Sequence, residues 1–302
     1  MYDSWHPYPK VYAIGHKAIE DIFSDEVIIQ EKIDGSSFSF GSFDGVLRCR
    51  SKGQELVIEQ PEKMFSLAVK TAKDLADAGL LHDGWTCRSE FLRIPKHNAL
   101  AYDRVPKQHL ILFDINTGNE KYLTYDEMVT EAWILGLEVV PVLCKGMITH
   151  IDQIHKLLEF TSILGGQKVE GVVIKNYYRF SRDGKAMFGK FVSEEFKEVH
   201  GKAWKESNPA GKDIKETLGD MYRSEARWNK AIQHLKESGE YKQAPEDIGK
   251  LIYLVQEDVV EECEEEIKQK LWEWAKSHVL RHSTRGLPQW YKDKLLNLAI
   301  SG

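Results

Sequence analysis

The chain has 302 residues, is 42% apolar and 29% charged, and carries a net charge of −6. That size holds one large domain and one small one, and the apolar and aromatic content supports a packed core, which excludes wholesale disorder. No apolar run reaches the roughly 18 residues of a membrane span. Met1 to Lys10 lack a signal-peptide core, and Cys49, Cys87, Cys144 and Cys263 show neither metal-knuckle spacing nor a close pair. A reduced, cytoplasmic protein without membrane contact is therefore expected.

In chain order, residues 27–40 read as two strands flanking a turn at Lys32, with Asp34-Gly35 supplying the turn chemistry. A strand is predicted at 46–51. Met64, Phe65, Ala68, Val69, Ala72, Leu75 and Ala76 fall at helical spacing and stop near Gly79. Strands follow at 85–91, 108–115, 137–143 and 169–176, with helices near 125–136 and 151–164. The pattern predicts an α+β domain of antiparallel sheets over 1–205. The character changes near Gly201, and Ser207-Asn208-Pro209-Ala210-Gly211 reads as a joint. Ile214, Leu218, Met221 and Tyr222 then form one helical stripe. Pro245 starts another helix, with Ile248, Leu251, Ile252, Val255, Val259, Cys263, Ile267 and Leu271 along one face. Residues 211–302 are read as a small all-α domain. The acidic run at 261–266 reads as a solvated face rather than a metal site.

Residues 201–302 carry 17 Lys and Arg against 18 Asp and Glu, and the rest of the chain 24 against 29. A surface for a polyanion must therefore be local, and its binding steeply salt-dependent.

Charged side chains are set into apolar strands in a fixed order. They occur in Glu31-Lys32-Ile33-Asp34-Gly35, Arg50-Ser51-Lys52-Gly53, Arg88-Ser89-Glu90-Phe91, Leu112-Phe113-Asp114-Ile115, Glu170-Gly171-Val172-Val173-Ile174-Lys175 and Gly189-Lys190-Phe191-Val192. A lysine can attack the α-phosphorus of a nucleotide and hold it as a phosphoramidate. Its pKa of ~10.4 must first fall, and ~3 units correspond to about 4 kcal/mol. Lys175, Lys190 and a divalent metal could supply the lowering charge, and Glu170 suits magnesium, which takes one or two carboxylates and keeps waters. Strand alternation separates Glu170 from Lys175 unless a twist or bulge beside Gly171 intervenes. Taken singly, each residue also fits a bland reading: a surface hairpin lysine, a core phenylalanine, a surface ion pair at Glu90, edge charges at Arg50 and Lys52.

Taken in order, the set resembles the covalent nucleotidyltransferases, and within them the nick-sealing phage-type RNA ligases. The resemblance covers roughly 8–200 and implies a nucleotidyltransferase (ATP-grasp-like ligase) domain. It implies Lys32 as nucleophile, Glu170 as metal carboxylate, and Lys175 and Lys190 as phosphate clamps. It also assigns Glu90 to the ribose hydroxyls, Phe113 to base stacking, Arg50 to the nucleotide or an incoming 5′-phosphate, and Glu31 to reading adenine, with Asp34 beside them. DNA ligases and capping enzymes place a β-barrel module after the last lysine motif, whereas the tail here reads helical. Asp34 and Ser37 stand where nick-sealing enzymes carry His and Asn, and Phe188 replaces the first of two final lysines, with Lys185 as a nearby substitute.

The implied activity is an ATP-dependent RNA ligase. Lys32 takes AMP from ATP with Mg2+ or Mn2+, passes it to a 5′-phosphate, and a 3′-hydroxyl displaces it. The expected partner is nucleic acid (RNA ends, a nicked duplex or an RNA–DNA hybrid), gripped by Arg223, Arg227 and Lys230 unless these form the domain joint. No protein partner is expected. The alternatives are a DNA ligase, a GTP-dependent capping guanylyltransferase, and a non-catalytic protein that binds nucleic-acid ends.

Overall fold

The computed structural model describes residues 3–192 and 214–301, with 295–301 as backbone only. The joint at 207–211 and the run after Val192 lie outside the described residues. Those described fall into two compact units, one within Met1–His200 and Arg223–Gln256, the other within Gly201–Tyr222 and Glu257–Gly302. Among the described residues no helix is long and apolar enough to cross a membrane.

The first unit is α+β. One sheet contains β1 (Val11–Ala13), β2 (Val27–Glu31), β10 (Val142–Gly146), β11 (Gly171–Phe180) and β12 (Ala186–Val192), in the order β1-β12-β11-β2-β10. The other contains β3 (Ser36–Phe43), β4 (Val46–Ser51), β5 (Glu55–Leu56), β6 (Thr86–Phe91), β7 (Leu110–Gly118) and β8 (Lys121–Tyr122), in the order β5-β4-β3-β6-β7-β8, and β9 (Glu138–Val139) pairs with β7. Pairing is antiparallel except for β1 with β12 and β7 with β9.

Alternation along the strands decides what each face packs against. Phe38 and Phe40 of β3, Cys49 of β4 and Leu110 and Leu112 of β7 turn toward α1 (Ser66–Asp77) and α2 (Tyr125–Leu135), forming the largest core with Phe65, Ala72 and Met128. Each fully buried phenylalanine there contributes about 2–3 kcal/mol. Ile29, Val172 and Ile174 bury the outer face of the first sheet with Ile154 and Leu157 of α3 (Ile151–Leu157). A third cluster, Ile33, Leu92, Leu100, Tyr102, Ile111, Val140 and Leu164, joins residues of both sheet regions.

The predicted strands flanking Lys32 exist, but they do not form a hairpin. β2 belongs to one sheet and β3 to the other, so residues 32–35 cross between them. Gly35 has no positive φ, so it is not there for turn conformation. A Cβ on it would lie 2.9 Å from the Phe91 carbonyl oxygen and 3.1 Å from Glu90 Oε2, so only glycine fits. The strand expected at 137–143 divides likewise at Val140-Pro141, with β9 on one sheet and β10 on the other. Proline lacks the N–H that would continue a ladder. α3 is shorter than expected, and β11 longer.

A buried ion pair fastens the sheets together. Lys175 Nζ on β11 lies 2.7 Å from Asp114 Oδ2 and 2.7 Å from the Phe113 carbonyl oxygen on β7, with the two side chains 1% and 2% exposed. Tyr177 donates to the other carboxylate oxygen at 2.6 Å, and Tyr8 also donates to Asp114.

In the tail, α4 (Ile214–Tyr222) buries the four stripe residues as expected. α5 (Glu225–Glu237), capped by Ser224, belongs to the first unit. Pro245 opens a short turn leading into α6 (Ile248–Ser283), and α7 (Leu287–Ser301) follows. The expected stripe along α6 is partly buried, with Leu251, Val255, Val259 and Ile267 half-buried. Cys263 is buried, but Ile248 is 56% and Ile252 54% exposed. The acidic run is a solvated face, with Glu264, Glu265 and Glu266 exposed and paired to lysines.

Removing one partner of the Lys175–Asp114 pair strands the other without compensation. Asp114→Ala should destabilise the protein by about 3–5 kcal/mol in urea unfolding, and Asp114→Ala with Lys175→Met should be less destabilised than the single change. A double variant no more stable than Asp114→Ala contradicts this.

Candidate active site

The pairing of β2 with β11 builds the centre of the site. Glu31 lies opposite Val172, and the backbone N–H of Lys32 donates to the Gly171 carbonyl at 2.9 Å. Glu170 occupies a bend immediately before β11, so strand alternation does not govern it. Gly171 permits the close approach of β12, because a Cβ there would lie 2.5 Å from the Phe191 carbonyl oxygen. Lys32 Nζ is consequently held by both oxygens of Glu170, at 2.8 and 2.6 Å, with 27% of its side chain exposed.

The electrostatics of this pair differ from the sequence expectation. Burial pulls the Lys32 amine down, but the charge and hydrogen bond of Glu170, with the charges of Asp34 and Glu90, outweigh it and leave the amine above the ordinary lysine value. Its immediate partner is a carboxylate, not a lysine. Burial raises Glu170 itself, while the charges of Lys32 and Lys190 act to lower it.

Glu90 lies on β6 opposite Ser37. Burial pushes its carboxyl up to about 8, Lys32 opposes this, and Glu237, Asp34 and Glu170 add to it. Lys190 is half-buried on β12 opposite Val173. Lys32, Glu90, Glu170 and Lys190 are thus brought into one electrostatic neighbourhood.

The other candidates have different settings. Glu31 is 3% exposed, and burial raises its pKa. One oxygen accepts from the Ile163 N–H at 3.0 Å, and the other, Oε1, is buried without a hydrogen-bond partner. Phe113 is half-buried beside the third cluster, with Tyr8 edge-on at 5.1 Å. Asp34 anchors a loop: its Oδ2 accepts from the backbone of Ala99 and Leu100, both at 2.8 Å, and Asn98 reaches its Oδ1 at 3.4 Å. Arg50 lies on β4 beneath Trp5, 5.9 Å from ring centroid to guanidinium, and nothing in that packing directs it to Lys32. Lys175 is a correction. Its ammonium is enclosed by Asp114 and the Phe113 carbonyl, and burial lowers its pKa, so it braces the sheets and is not an accessible phosphate clamp. Lys185 does not stand in for the missing lysine, because it pairs with Glu120 at 3.0 Å. Phe188 is fully buried among Tyr8, Tyr122 and Tyr177.

Sequence reasoning singled out the stretch Pro95-Lys96-His97-Asn98 after the Glu90 motif but missed Tyr8, Tyr102 and Gln233. Tyr8 stacks on Phe188 at 5.2 Å, and the Tyr102 hydroxyl accepts from the Asp34 N–H at 2.8 Å. His97, driven down to about 4 chiefly by burial, accepts from the Arg93 N–H through Nδ1, so its Nε2–H donates to Ser36 Oγ at 2.9 Å. Helix α5 also reaches this edge: Gln233 donates to Ser36 Oγ at 2.9 Å, and the charge of Glu237 acts on Glu90. Position 233 lies 197 residues from Ser36, and no local spacing signals such a contact. Of the residues expected either to grip nucleic acid or to form the domain joint, Arg227 is 1% exposed.

For a metal, Glu170 is the carboxylate with the chemistry required. Among the described residues no group of three or more His, Cys, Asp or Glu could hold an ion.

Residues 25–192 match the RNA ligase family. The chain belongs to that family. Among solved structures it is similar to the Naegleria gruberi RNA ligase with pyrophosphate, at 21% identity and a TM-score of 0.49. Mutant forms of the same enzyme with ATP and manganese, and with AMP and manganese, match at 20% identity and TM-scores of 0.48 and 0.47. Each alignment covers 63% of this chain and 56% of the other, so the chain spans little more than half the length of those ligases. No curated protein matches the sequence.

The raised carboxyl of Glu90 has a consequence for stability. Its value moves from 4.5 to about 8, so the folded protein binds more protons than the unfolded chain between those limits. This contribution to stability is complete below pH 4.5 and is lost as pH rises through 8. Glu90→Gln removes the effect. Its Tm relative to wild type should therefore rise between pH 4.5 and pH 9, and a difference independent of pH contradicts the burial argument.

Proposed function

We propose that the protein is an ATP-dependent RNA ligase acting through a lysyl-AMP at Lys32. The observation that carries this reading is the Lys32 ammonium, partly exposed where the chain crosses between sheets and held by both oxygens of Glu170. Family membership supports it. In the first step the Lys32 Nζ lone pair forms a bond to the α-phosphorus of ATP while the bond to the bridging oxygen breaks and pyrophosphate leaves. The amine must first lose a proton to solvent, which Glu170, at 2.6 Å, opposes until that carboxylate is drawn away. The AMP then passes to a 5′-phosphate oxygen, breaking the P–N bond. A 3′-hydroxyl finally attacks that phosphate, and AMP departs.

The remaining residues orient the nucleotide. Glu90, largely protonated at neutral pH, can donate as well as accept with the ribose hydroxyls. Phe113 offers its ring to the base. The unsatisfied Glu31 Oε1 is the kind of acceptor that an adenine amino group would complete. Lys190 would face the phosphates. Magnesium or manganese bound at Glu170 would release that carboxylate's hold on the amine and polarise phosphate oxygens.

The catalytic chemistry is assigned to the unit containing β2, β6 and β11. After Val192 the described residues hold helices only, which favours an RNA ligase over the DNA-ligase and capping readings, whose families continue into a β-barrel. The four free cysteines support a reducing, cytoplasmic setting.

The test is incubation with magnesium and radiolabelled ATP or GTP, followed by denaturation. Label from ATP should remain on the protein and vanish in Lys32→Ala. Label from GTP alone would make it a capping-type enzyme, and no label would leave an end-binding protein. Sealing of RNA/RNA, RNA/DNA and DNA/DNA nicks then sets strand preference, and faster DNA sealing would refute the RNA assignment.

A further inference from the structure

The family match ends at Val192 and leaves the second unit without a role. Within that unit, charge is sharply segregated along α6. Residues 257–266 contain seven Asp and Glu and no Lys or Arg. Local lysines partly neutralise them: Lys268 lies 2.9 Å from Glu264 and 2.8 Å from Glu265, and Lys270 lies 3.3 Å from Glu266. From Trp274 to Lys292 the sign is reversed. There is no Asp or Glu, and Lys276, Arg281, Arg285 and Lys292 are all exposed.

The same stretch turns a corner. α6 ends at Ser283, the Leu287 N–H donates to the Thr284 carbonyl at 3.2 Å, and Gly286 takes a φ of +86° before α7 begins. That conformation is open to glycine at no steric cost. Around the corner, aromatic rings stand in solvent: Trp274 is 54%, Trp290 57% and Tyr291 54% exposed. Lys294 Nζ sits 5.2 Å from the Trp290 ring centroid, and the His278 and His282 rings stack at 4.2 Å.

Several large aromatic side chains left half-exposed within one short stretch point to a contact surface. Between Trp274 and Lys294 five Lys and Arg outnumber the single acid, Asp293, so the partner must tolerate a net positive field and offer flat faces. Unpaired nucleic acid meets both demands, since cations take its phosphates and rings stack on its bases. A second copy of the chain fits less well, because three of the seven acidic residues it would offer, Glu264, Glu265 and Glu266, are already paired to its own Lys268 and Lys270.

We propose that the helical corner at 274–294 is a grip for single-stranded RNA, with Lys276, Arg281, Arg285 and Lys292 on the phosphates and Trp274 and Trp290 stacking on bases. It builds on the ligase reading by giving that enzyme a hold on its polymer, and it resolves how an acidic protein binds a polyanion. Binding needs no chemistry, so the two readings can fail separately: adduct formation by wild type tests the first, RNA affinity the second.

The experiment is fluorescence anisotropy of the full chain with a labelled single-stranded RNA over a salt series. Arg281→Glu with Arg285→Glu should weaken binding at least tenfold and reduce the slope of log K against log salt by about 1.4, or ~0.7 per lost phosphate contact. Trp290→Ala should weaken binding roughly tenfold, and Trp290→Phe should largely restore it. Circular dichroism confirms that each variant keeps its helices, and Lys276→Glu with Lys292→Glu repeats the test should the first pair unfold. Unchanged affinity and salt slope in the charge-reversed chains overturn the proposal. So does a dimer in sedimentation that these substitutions dissociate while RNA affinity stays constant, which would make the corner an interface between copies.

Discussion

The buried contact between Lys175 and Asp114 sets the geometry of the first unit. One partner comes from β11 and the other from β7, so it spans the two sheets, and the hydroxyls of Tyr8 and Tyr177 complete the carboxylate's hydrogen bonds. An ion pair so enclosed is not strong evidence of net stability, since desolvation offsets much of its attraction. Its effect is geometric: neither sheet can slide without exposing an unpaired charge to an apolar interior. Between these sheets the chain crosses at 32–35, where Lys32 meets Glu170.

The site so formed is electrostatically tense. Four carboxylates, Asp34, Glu90, Glu170 and Glu237, act within reach of one another, and Lys32 is the cation most directly among them. Burial, and then the neighbouring carboxylates, push Glu90 up to about 8, while Glu170 holds the Lys32 amine above the ordinary lysine value. So long as both Glu170 oxygens hold it, the Lys32 amine stays a charged ammonium.

Much of this was legible in the sequence where the signal was local. The strand at 46–51, the helix ending before Gly79 and the stripe at Ile214, Leu218, Met221 and Tyr222 follow from periodicity, and the ordered charged segments pointed to Lys32, Glu90, Glu170 and Lys190. What sequence could not supply was which sheet a strand joins. Asp34-Gly35 reads as hairpin chemistry because local turn rules cannot distinguish a turn between paired strands from a crossing between sheets. Lys175 carries the same charge as Lys190, and only the packing of β7 against β11 shows that one is enclosed and the other half-open. Burial of Arg227, the arrival of Gln233 at Ser36 and the stacking of Tyr8 on Phe188 join residues distant in the chain, and leave no periodic trace. The stripe along α6 is only partly covered: Leu251, Val255, Val259, Cys263 and Ile267 are half-buried or buried, whereas Ile248, Ile252 and Leu271 are exposed.

The central claim is that Lys32, among all the lysines of the chain, is the one that becomes bonded to nucleotide. Peptide mapping by mass spectrometry after incubation with ATP and magnesium tests it most directly. The account requires the AMP mass increment on the peptide containing Lys32, with Lys175 and Lys190 unmodified. An increment on any other lysine, with the Lys32 peptide unchanged, would contradict it.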